Sequence, residues 1–299
     1  MSLTELSIIF LFLGFAYSFS TLGFILVNSS STFINYALGG LIILCGVIAG
    51  YIDQLQNLPS ALVFISSVGL CTLILTLFLL LFHKAFKNRS KKNSFMATIA
   101  LAIFIENIWP LFSNIPITSL YPKTLPSLGQ NIMINFFWDN LDPYRDSLII
   151  LFITIVILLV FYYIFTFTLM GQQVRACQQD ENMAQAIGIS SNIISVITIA
   201  FGSAFCGIAG YFFSRQSFFI ETNSIDLIVK IYLCIVLGQQ KLPKTIIASF
   251  FLAFIEIVIT IFSSYLFAEI VIYSLLIIVL MKKYTLPFSL YLYKQTRWR

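Results

Sequence analysis

Ionisable and amide side chains stand isolated inside long apolar stretches of this chain. They are Glu106 with Asn107, Asp226 with Lys230, and Glu256. An ionisable group in hydrocarbon is costly unless it is paired, so such residues mark either a solute or proton path or buried contacts between helices. The sequence leaves both alternatives open. Asp226 and Lys230 are four residues apart, which predicts that they share a helix face and neutralise each other.

A second polar group occupies the stretch GQQVRACQQDENMAQAIGIS, residues 171–190, between two apolar runs. Its composition predicts a helix over 173–188 that Gly188 ends in a left-handed conformation. Small residues and one acid recur every four positions, with Arg175 beside them. The residues at this spacing are Ala176, Asp180, Ala184 and Gly188. Such a face suits close docking of another protein, and a solvated linker helix is the alternative.

The elements that must position these groups are membrane-spanning helices. Of the 299 residues, 59% are hydrophobic and 10% are charged, and the mean hydropathy is +0.96, which excludes a water-soluble core of this size. The runs are apolar on every side, whereas strands of a membrane barrel would alternate. We predict an all-α, polytopic transmembrane helix bundle, a single domain over 1–299, with eight to nine spans of about 20 residues each. The runs lie near 7–27, 33–52, 60–83, 95–113, 147–169, 192–213, 218–238, 245–263 and 265–281.

Basic residues orient the chain, because clusters of Lys and Arg near span ends remain in the cytoplasm. Thirteen of the 17 basic residues fall on one face if nine spans are counted. They are Lys84, Lys87, Arg89, Lys91, Lys92, Arg175, Lys241, Lys244, Lys282, Lys283, Lys294, Arg297 and Arg299. A re-entrant hairpin at 218–238 would place the basic C-terminal tail outside, so the charge rule favours nine spans over eight.

The same orientation makes residues 171–190 cytoplasmic and the segment of about 114–146 external. The external segment is rich in proline and carries Trp138, Asp139, Asp142 and Arg145. These residues form a candidate docking surface for an external partner, with a loop that caps the bundle as the alternative.

Glycine-rich helices provide a candidate route through the membrane. The second and sixth runs each carry several glycines, which allow close helix packing. Adjacent Gly39 and Gly40 also weaken a helix, and a broken helix presents free backbone groups to a polar solute. We therefore predict a translocation path beside Asn35, Gly39 and Gly40 and the helices that carry Glu106 and Glu256. The alternative is that the glycines serve packing alone.

The pattern Gly171-x3-Arg175-Ala176-x3-Asp180-x3-Ala184-x3-Gly188-Ile189 resembles the cytoplasmic loop of ABC-transporter permeases of the branched-chain amino acid family. Shorter matches follow in order along the chain. They are INYALG at 34–39, ALAIFIEN at 100–107, Lys230 before an apolar run to Leu237-Gly238, and AFIE at 253–256. Where the family usually has L-G-G-x-G-x-x-P-G, this chain reads LGQQKLPK at 237–244, which predicts a less flexible turn.

The resemblance implies a permease subunit of an ABC importer in the bacterial inner (plasma) membrane. Its solutes would be branched-chain or related amino acids. It further implies a second permease chain, identical or paralogous, two cytoplasmic ATPase subunits that bind ATP and Mg²⁺, and an external solute-binding protein. Its coupling segment would comprise Gly171, Arg175, Ala176, Asp180, Ala184 and Gly188.

The sequence itself offers no G-x-x-x-x-G-K-[ST] motif, so hydrolysis by that device is left to a partner. One rival reading is an ion-coupled secondary transporter of a small polar solute, with Glu106 or Glu256 as a proton site. A membrane-embedded enzyme is disfavoured, because the His, Asp and Cys residues are scattered and predict neither a catalytic nor a metal site.

Overall fold

A computed structural model describes residues 3–29, 35–55, 60–86, 91–112, 145–215, 223–239, 241–263 and 265–296. Within these ranges the chain forms helices and no β-strand, which confirms the predicted all-α class. The helices are α1 Leu3–Ser29, α2 Ala37–Leu55, α3 Ser60–Phe86, α4 Lys91–Phe112, α5 Arg145–Phe167, α6 Leu169–Gln179, α7 Glu181–Ala186, α8 Ser191–Ser214, α9 Ser224–Leu237, α10 Leu242–Phe262 and α11 Tyr265–Thr296. The predicted docking residues Trp138, Asp139 and Asp142 lie outside the described residues.

Eight of the nine predicted spans correspond to clearly apolar helices. Parts of α1, α3, α5, α8 and α10 are long and apolar enough to cross a membrane, and α2, α4 and α11 contain shorter apolar segments. The ninth predicted span, 218–238, is represented by α9, which has 14 residues. At 1.5 Å per residue α9 is about 21 Å long, shorter than the hydrocarbon layer of about 30 Å.

The directions of the helices decide between nine crossings and eight. Helix α1 is antiparallel to α8, because Phe12 contacts Phe212 and Phe19 contacts Phe205. It is also antiparallel to α10, since Phe10 meets Phe254 while Thr21, further along α1, meets Ser249.

Helices α8 and α10 therefore point the same way, and the chain between them must return across the bundle. Helix α9 makes this return: its Lys230 lies beside Glu256, and Gly238 just after it packs against Thr245. The structure thus supports nine crossings and not the hairpin alternative.

Helix α1 lies in the centre of the bundle. Within the 18-residue apolar window of its segment Ser7–Ser29, 78% of the residues are buried, compared with 33% for the corresponding windows of α3 and α5. It packs mainly on α8 and α10 through aromatic rings, including Phe15 against Phe250 with ring centroids 5.2 Å apart. Helices α3 and α5 instead leave apolar side chains such as Leu73 and Phe152 exposed, as expected of a surface that faces lipid.

Several of the described basic residues lie at one end of the bundle, in agreement with the charge rule. Helix α3 runs antiparallel to α8, with Phe64 against Tyr211 and Cys71 against Gly207. The end of α3 with Lys84, the segment α6–α7, and the start of α10 with Lys244 therefore share one side. Helix α11 reaches the same side and continues to Thr296, well past its apolar segment Leu266–Met281. Helix α11 therefore carries the basic tail as far as Thr296.

Candidate functional site

The corner between α5 and α6 is held by two of the predicted coupling residues. The chain turns at Thr168, whose backbone is extended, and α6 begins at the next residue. Gly171 is buried, and a Cβ there would overlap the carbonyl group of Phe165. The Nη1 of Arg175 donates a hydrogen bond of 2.5 Å to that same Phe165 oxygen. Gly171 and Arg175 thus fix the corner within the chain, and Arg175 gives at least one of its N–H groups to this local contact.

The predicted continuous helix over 173–188 is wrong, because the helix breaks at Asp180. Helix α6 ends at Gln179, and Asp180 has φ −155° and ψ 110°. Its Oδ1 accepts hydrogen bonds from the backbone N–H groups of Asn182 at 2.9 Å and Met183 at 3.2 Å. An aspartate offers the backbone this N-cap geometry in place of a helical turn, so it starts α7 instead of continuing α6.

Gly188 ends α7 in the left-handed conformation, as predicted, with φ +87°. Its N–H bonds to the carbonyl of Gln185, and the N–H of Ile189 bonds to that of Ala184, both at 3.0 Å. This is the Schellman arrangement, which favours glycine at the left-handed position. The side chain of Gln185 also donates to Ser191 Oγ at 2.7 Å, which ties α7 to the start of α8.

Ala184 of the predicted small-residue face is turned toward the bundle, whereas Gly188 is exposed. Ala184 and Val174 are each 1% exposed, and Ala176 is half-buried. A cavity of about 30 Å³, lined in part by Ser29, Val174 and Ser195, lies where α6 meets α1 and α8.

The outward side of the segment instead presents Met183 and Ile187, which are 68% and 76% exposed. Sequence reasoning missed this pair, although two large apolar residues in a polar stretch were a readable signal.

The predicted path residues separate into two groups, of which the first surrounds the start of α9. Glu106 of α4 accepts hydrogen bonds at Oε2 from Ser224 N at 3.1 Å and from Ser224 Oγ at 2.6 Å. A carboxylate is stabilised at a helix N-terminus by the free N–H groups and the helix dipole. Gly39 packs on the backbone of Ser224, and a Cβ at Gly40 would lie 2.9 Å from the carbonyl oxygen of Ala102. The two glycines thus bring α2 directly against α9 and α4.

Asn35 and Asn107 take different positions. Asn35 is 4% exposed; its Oδ1 accepts from the N–H of Ala37 at 3.0 Å, and its own N–H donates to Asn28 Oδ1 at 2.7 Å. It therefore joins the start of α2 to the end of α1. Asn107 is exposed, and its Nδ2 donates to Ile103 O in the same helix. The prediction that Asn107 is among the deepest polar residues, together with Glu106 and Glu256, is wrong, because neighbouring positions on a helix face different directions.

The second group is centred on Lys230, which is fully buried. Its Nζ donates to Glu256 Oε1 at 2.7 Å and lies 3.8 Å from Glu269 Oε1. The hydroxyl of Tyr17 donates to the other oxygen of Glu256 at 2.5 Å. Residues from α1, α9, α10 and α11 thus meet at one point inside the bundle.

The predicted pairing of Asp226 with Lys230 is wrong. Asp226 accepts a hydrogen bond of 2.5 Å from the hydroxyl of Tyr273 on α11, while Lys230 pairs with Glu256 on α10. Each side chain finds a partner on a different neighbouring helix, so the shared helix face does not bring the two together.

Comparison with known proteins identifies the family. The model for "Branched-chain amino acid transport system / permease component" matches residues 7–280. The chain belongs to this family. The permease is 21% identical to the high-affinity branched-chain amino acid transport system permease protein LivH of Escherichia coli K12 over 288 residues, 90% of each chain. It is 23% identical to LivH of Salmonella typhimurium LT2 over 204 residues, 67% of this chain and 64% of the relative. No solved structure matches the chain.

The permease is therefore a multi-pass membrane protein and a transport subunit. Several of the polar contacts between its helices were not predicted from the sequence. Four residues bond to or neighbour a predicted residue, although no spacing in the sequence singles them out. They are Tyr17, Ser224, Glu269 and Tyr273. Together the contacts tie the short helix α9 to α4 through Glu106, and to α10 and α11 through Lys230 and Asp226.

The turn that follows α9 is tight, and the expectation that it is less flexible than in the family stays a prediction. Gln239 adopts φ +53°, a left-handed conformation usual for glycine, and the N–H of Lys241 donates to Gly238 O at 3.0 Å. Helix α10 begins directly afterwards, with Pro243 in its first turn. The permease thus makes a compact turn with glutamine where the family usually has glycine.

Proposed function

We propose that this permease imports branched-chain or related apolar amino acids and is driven by ATP hydrolysis in partner subunits. The observation that carries the proposal is the segment α6–α7. It lies at the basic end of the bundle, is held by local hydrogen bonds, and presents Met183 and Ile187 outward. Exposed apolar side chains on a rigid support are typical anchors of a protein interface.

The partners follow from the family and from the absent nucleotide-binding motif. Two cytoplasmic ATPases bind ATP and Mg²⁺ and dock on α6–α7, a second permease chain completes the transmembrane unit, and an external binding protein delivers the solute. The site of action is the bacterial inner membrane. The names of the LivH relatives support amino acids with branched side chains as the solutes.

The proposed docking has a direct test in the assembled transporter. Changing both Met183→Ser and Ile187→Ser removes the exposed apolar atoms without touching the hydrogen bonds that shape α7. We expect the ATPases to stop co-purifying with the permease and uptake of L-leucine to be lost. The matched control is Tyr51→Ser. Tyr51 is exposed near the end of α2, on the side of the bundle opposite to α6–α7, so its substitution should leave co-purification unchanged.

Two outcomes would contradict the proposal. Retention of the ATPases by the double variant would place the interface elsewhere. Uptake by the wild type that survives ATP depletion but stops with an uncoupler would favour the ion-coupled alternative.

We also propose that the path passes the contact of α2, α4 and α9, where Asn35, Gly39, Gly40 and Glu106 gather, and continues toward Lys230 and Glu256. The close approach of two glycines to the start of a short helix supports this course. Asn107 is left out because it faces away. A cysteine placed at Asn35 should react with a small polar thiol reagent in at least one nucleotide state. Protection of this cysteine in every state would refute this course.

A further inference from the structure

Lys230 has two carboxylates within reach, on different helices, and they are used unequally. Glu256 on α10 is close, at 2.7 Å, and its second oxygen accepts from Tyr17. Glu269 on α11 lies at 3.8 Å. Among the described residues none donates a hydrogen bond to Glu269 Oε1, although that oxygen is buried. The nearer carboxylate thus has a donor at each oxygen, whereas the farther one still lacks a donor at Oε1.

The distance between these two arrangements is small. A hydrogen bond from an ammonium to a carboxylate spans about 2.8 Å, so Lys230 needs to move only about 1 Å to bond Glu269. Helix shifts of about 1–2 Å are typical of conformational switching between packed states. The four-carbon stem of lysine and its three N–H donors accommodate such a change more easily than a planar guanidinium would.

The neighbouring residues also allow Lys230 to change carboxylate partners without leaving a buried charge unpaired. An unpaired buried lysine is strongly disfavoured, so a route on which Nζ always has a carboxylate nearby lowers the barrier to moving α9. When Lys230 leaves, Glu256 keeps the hydroxyl of Tyr17 as a donor. Helix α9 has 14 residues and is separated from α10 by the turn at Gly238 and Gln239, so it would shift as one short unit.

We propose that Glu269 is a positioning residue for transport: Lys230 passes from Glu256 to Glu269 as α9 shifts against α10 during the transport cycle. This inference rests on the proposed function, because the shift is driven by the ATPases. It assigns to α9 the movement between α10 and α11, and to Glu269 a role that neither its position in the sequence nor the family match indicates.

Glu269→Gln in the complete transporter tests the proposal. The amide preserves size, and no described residue donates a hydrogen bond to Glu269 Oε1, so the midpoint of thermal unfolding should stay within about 2 °C of the wild type. The maximal rate of ATP-driven L-leucine uptake should fall about tenfold or more at nearly unchanged KM, because a step after binding is slowed. Glu269→Asp retains the carboxylate and should recover part of the rate. By contrast, Glu256→Gln should lower the unfolding midpoint markedly, since it removes the present partner of Lys230.

Coupling with a membrane-permeable carbodiimide gives a readout that needs no transport. The reagent joins Lys230 to whichever carboxylate is adjacent, and mass spectrometry of the permease identifies the bond. We expect Lys230–Glu256 in the nucleotide-free protein and a larger share of Lys230–Glu269 after trapping with ATP and vanadate.

A wild-type rate for Glu269→Gln would overturn the exchange, and so would Lys230–Glu256 as the sole product in every state. Equal losses of rate and stability in both Glu269 variants would also overturn it, since they would show a merely structural role. Co-purification of the ATPases, measured in the same preparations, shows separately whether the proposed function itself fails.

Discussion

The coupling segment α6–α7 and the charged cluster around Lys230 are both polar regions in an apolar protein, but they are built in opposite ways. In the coupling segment the hydrogen-bond partners are close in sequence, such as Arg175 with Phe165, ten residues apart. Around Lys230 they are distant: Glu256 is 26 residues from Lys230 and 239 residues from Tyr17. The first region shapes its own backbone, whereas the second joins four helices.

This difference determines how far the loss of a single contact affects the stability of each region. Hydrogen bonds at an exposed turn compete with water and contribute about 1 kcal/mol each, so their loss remains local. Loss of one partner in a buried ion pair leaves a charge in a medium of low polarity and affects the whole bundle. The following substitutions test this contrast.

The largest effect is expected for Lys230→Met. It leaves Glu256 and Glu269 without their cation, and breaking a buried pair in this way destabilises proteins by about 3–5 kcal/mol. Denaturant unfolding of the purified permease measures the change. Lys244→Met, at an exposed position of α10, is the control and should change stability by less than about 0.5 kcal/mol. Similar losses in both variants would erase the contrast between the regions.

An intermediate effect is expected for Gly171→Ala at the corner of α5 and α6. The added Cβ meets the backbone of Phe165, so the corner must open, and overpacking of this kind costs about 1–3 kcal/mol. The midpoint of thermal unfolding and the rate of L-leucine uptake should both decrease. Gly69→Ala on α3 is the matched control. An added Cβ there would have no atom of a neighbouring helix within 4 Å, and alanine stabilises a helix by about 1 kcal/mol relative to glycine. A tolerated Gly171→Ala would mean that the corner is not tightly fixed.

The smallest effect is expected for Asp180→Ala, which removes the N-cap of α7. Loss of such a cap costs about 1 kcal/mol, enough for a roughly fivefold faster hydrogen exchange at the amides of Asn182 and Met183. Global unfolding should hardly change. Asp180→Asn retains an acceptor oxygen and should exchange like the wild type. A large fall in global stability would show that this segment is coupled to the bundle as strongly as Lys230.

The sequence was sufficient for features that depend on composition or short spacing. Apolar run length predicted the helices, the distribution of basic residues predicted nine crossings, and Gly188 predicted the left-handed end of α7. The break at Asp180 was missed because periodicity gave more weight to the four-residue repeat than to the capping preference of aspartate.

The partner of Lys230 was missed for a different reason. A spacing of four residues shows which side chains share a helix face but not which helix that face contacts. The roles of Tyr17, Ser224 and Glu269 depend entirely on packing between distant parts of the chain, which a single sequence does not encode as a visible pattern.

The central position of α1 has a consequence for how the protein is made. Its main packing partners, α8 and α10, lie far along the chain, so α1 is synthesised well before these neighbours exist. Until then the hydroxyl of Tyr17 has no Glu256 to bond, and Thr21 has no Ser249. During biogenesis α1 therefore remains in lipid or beside the insertion machinery, without these partners, while roughly two hundred further residues are synthesised. Synthesis proceeds at about 5–20 residues per second.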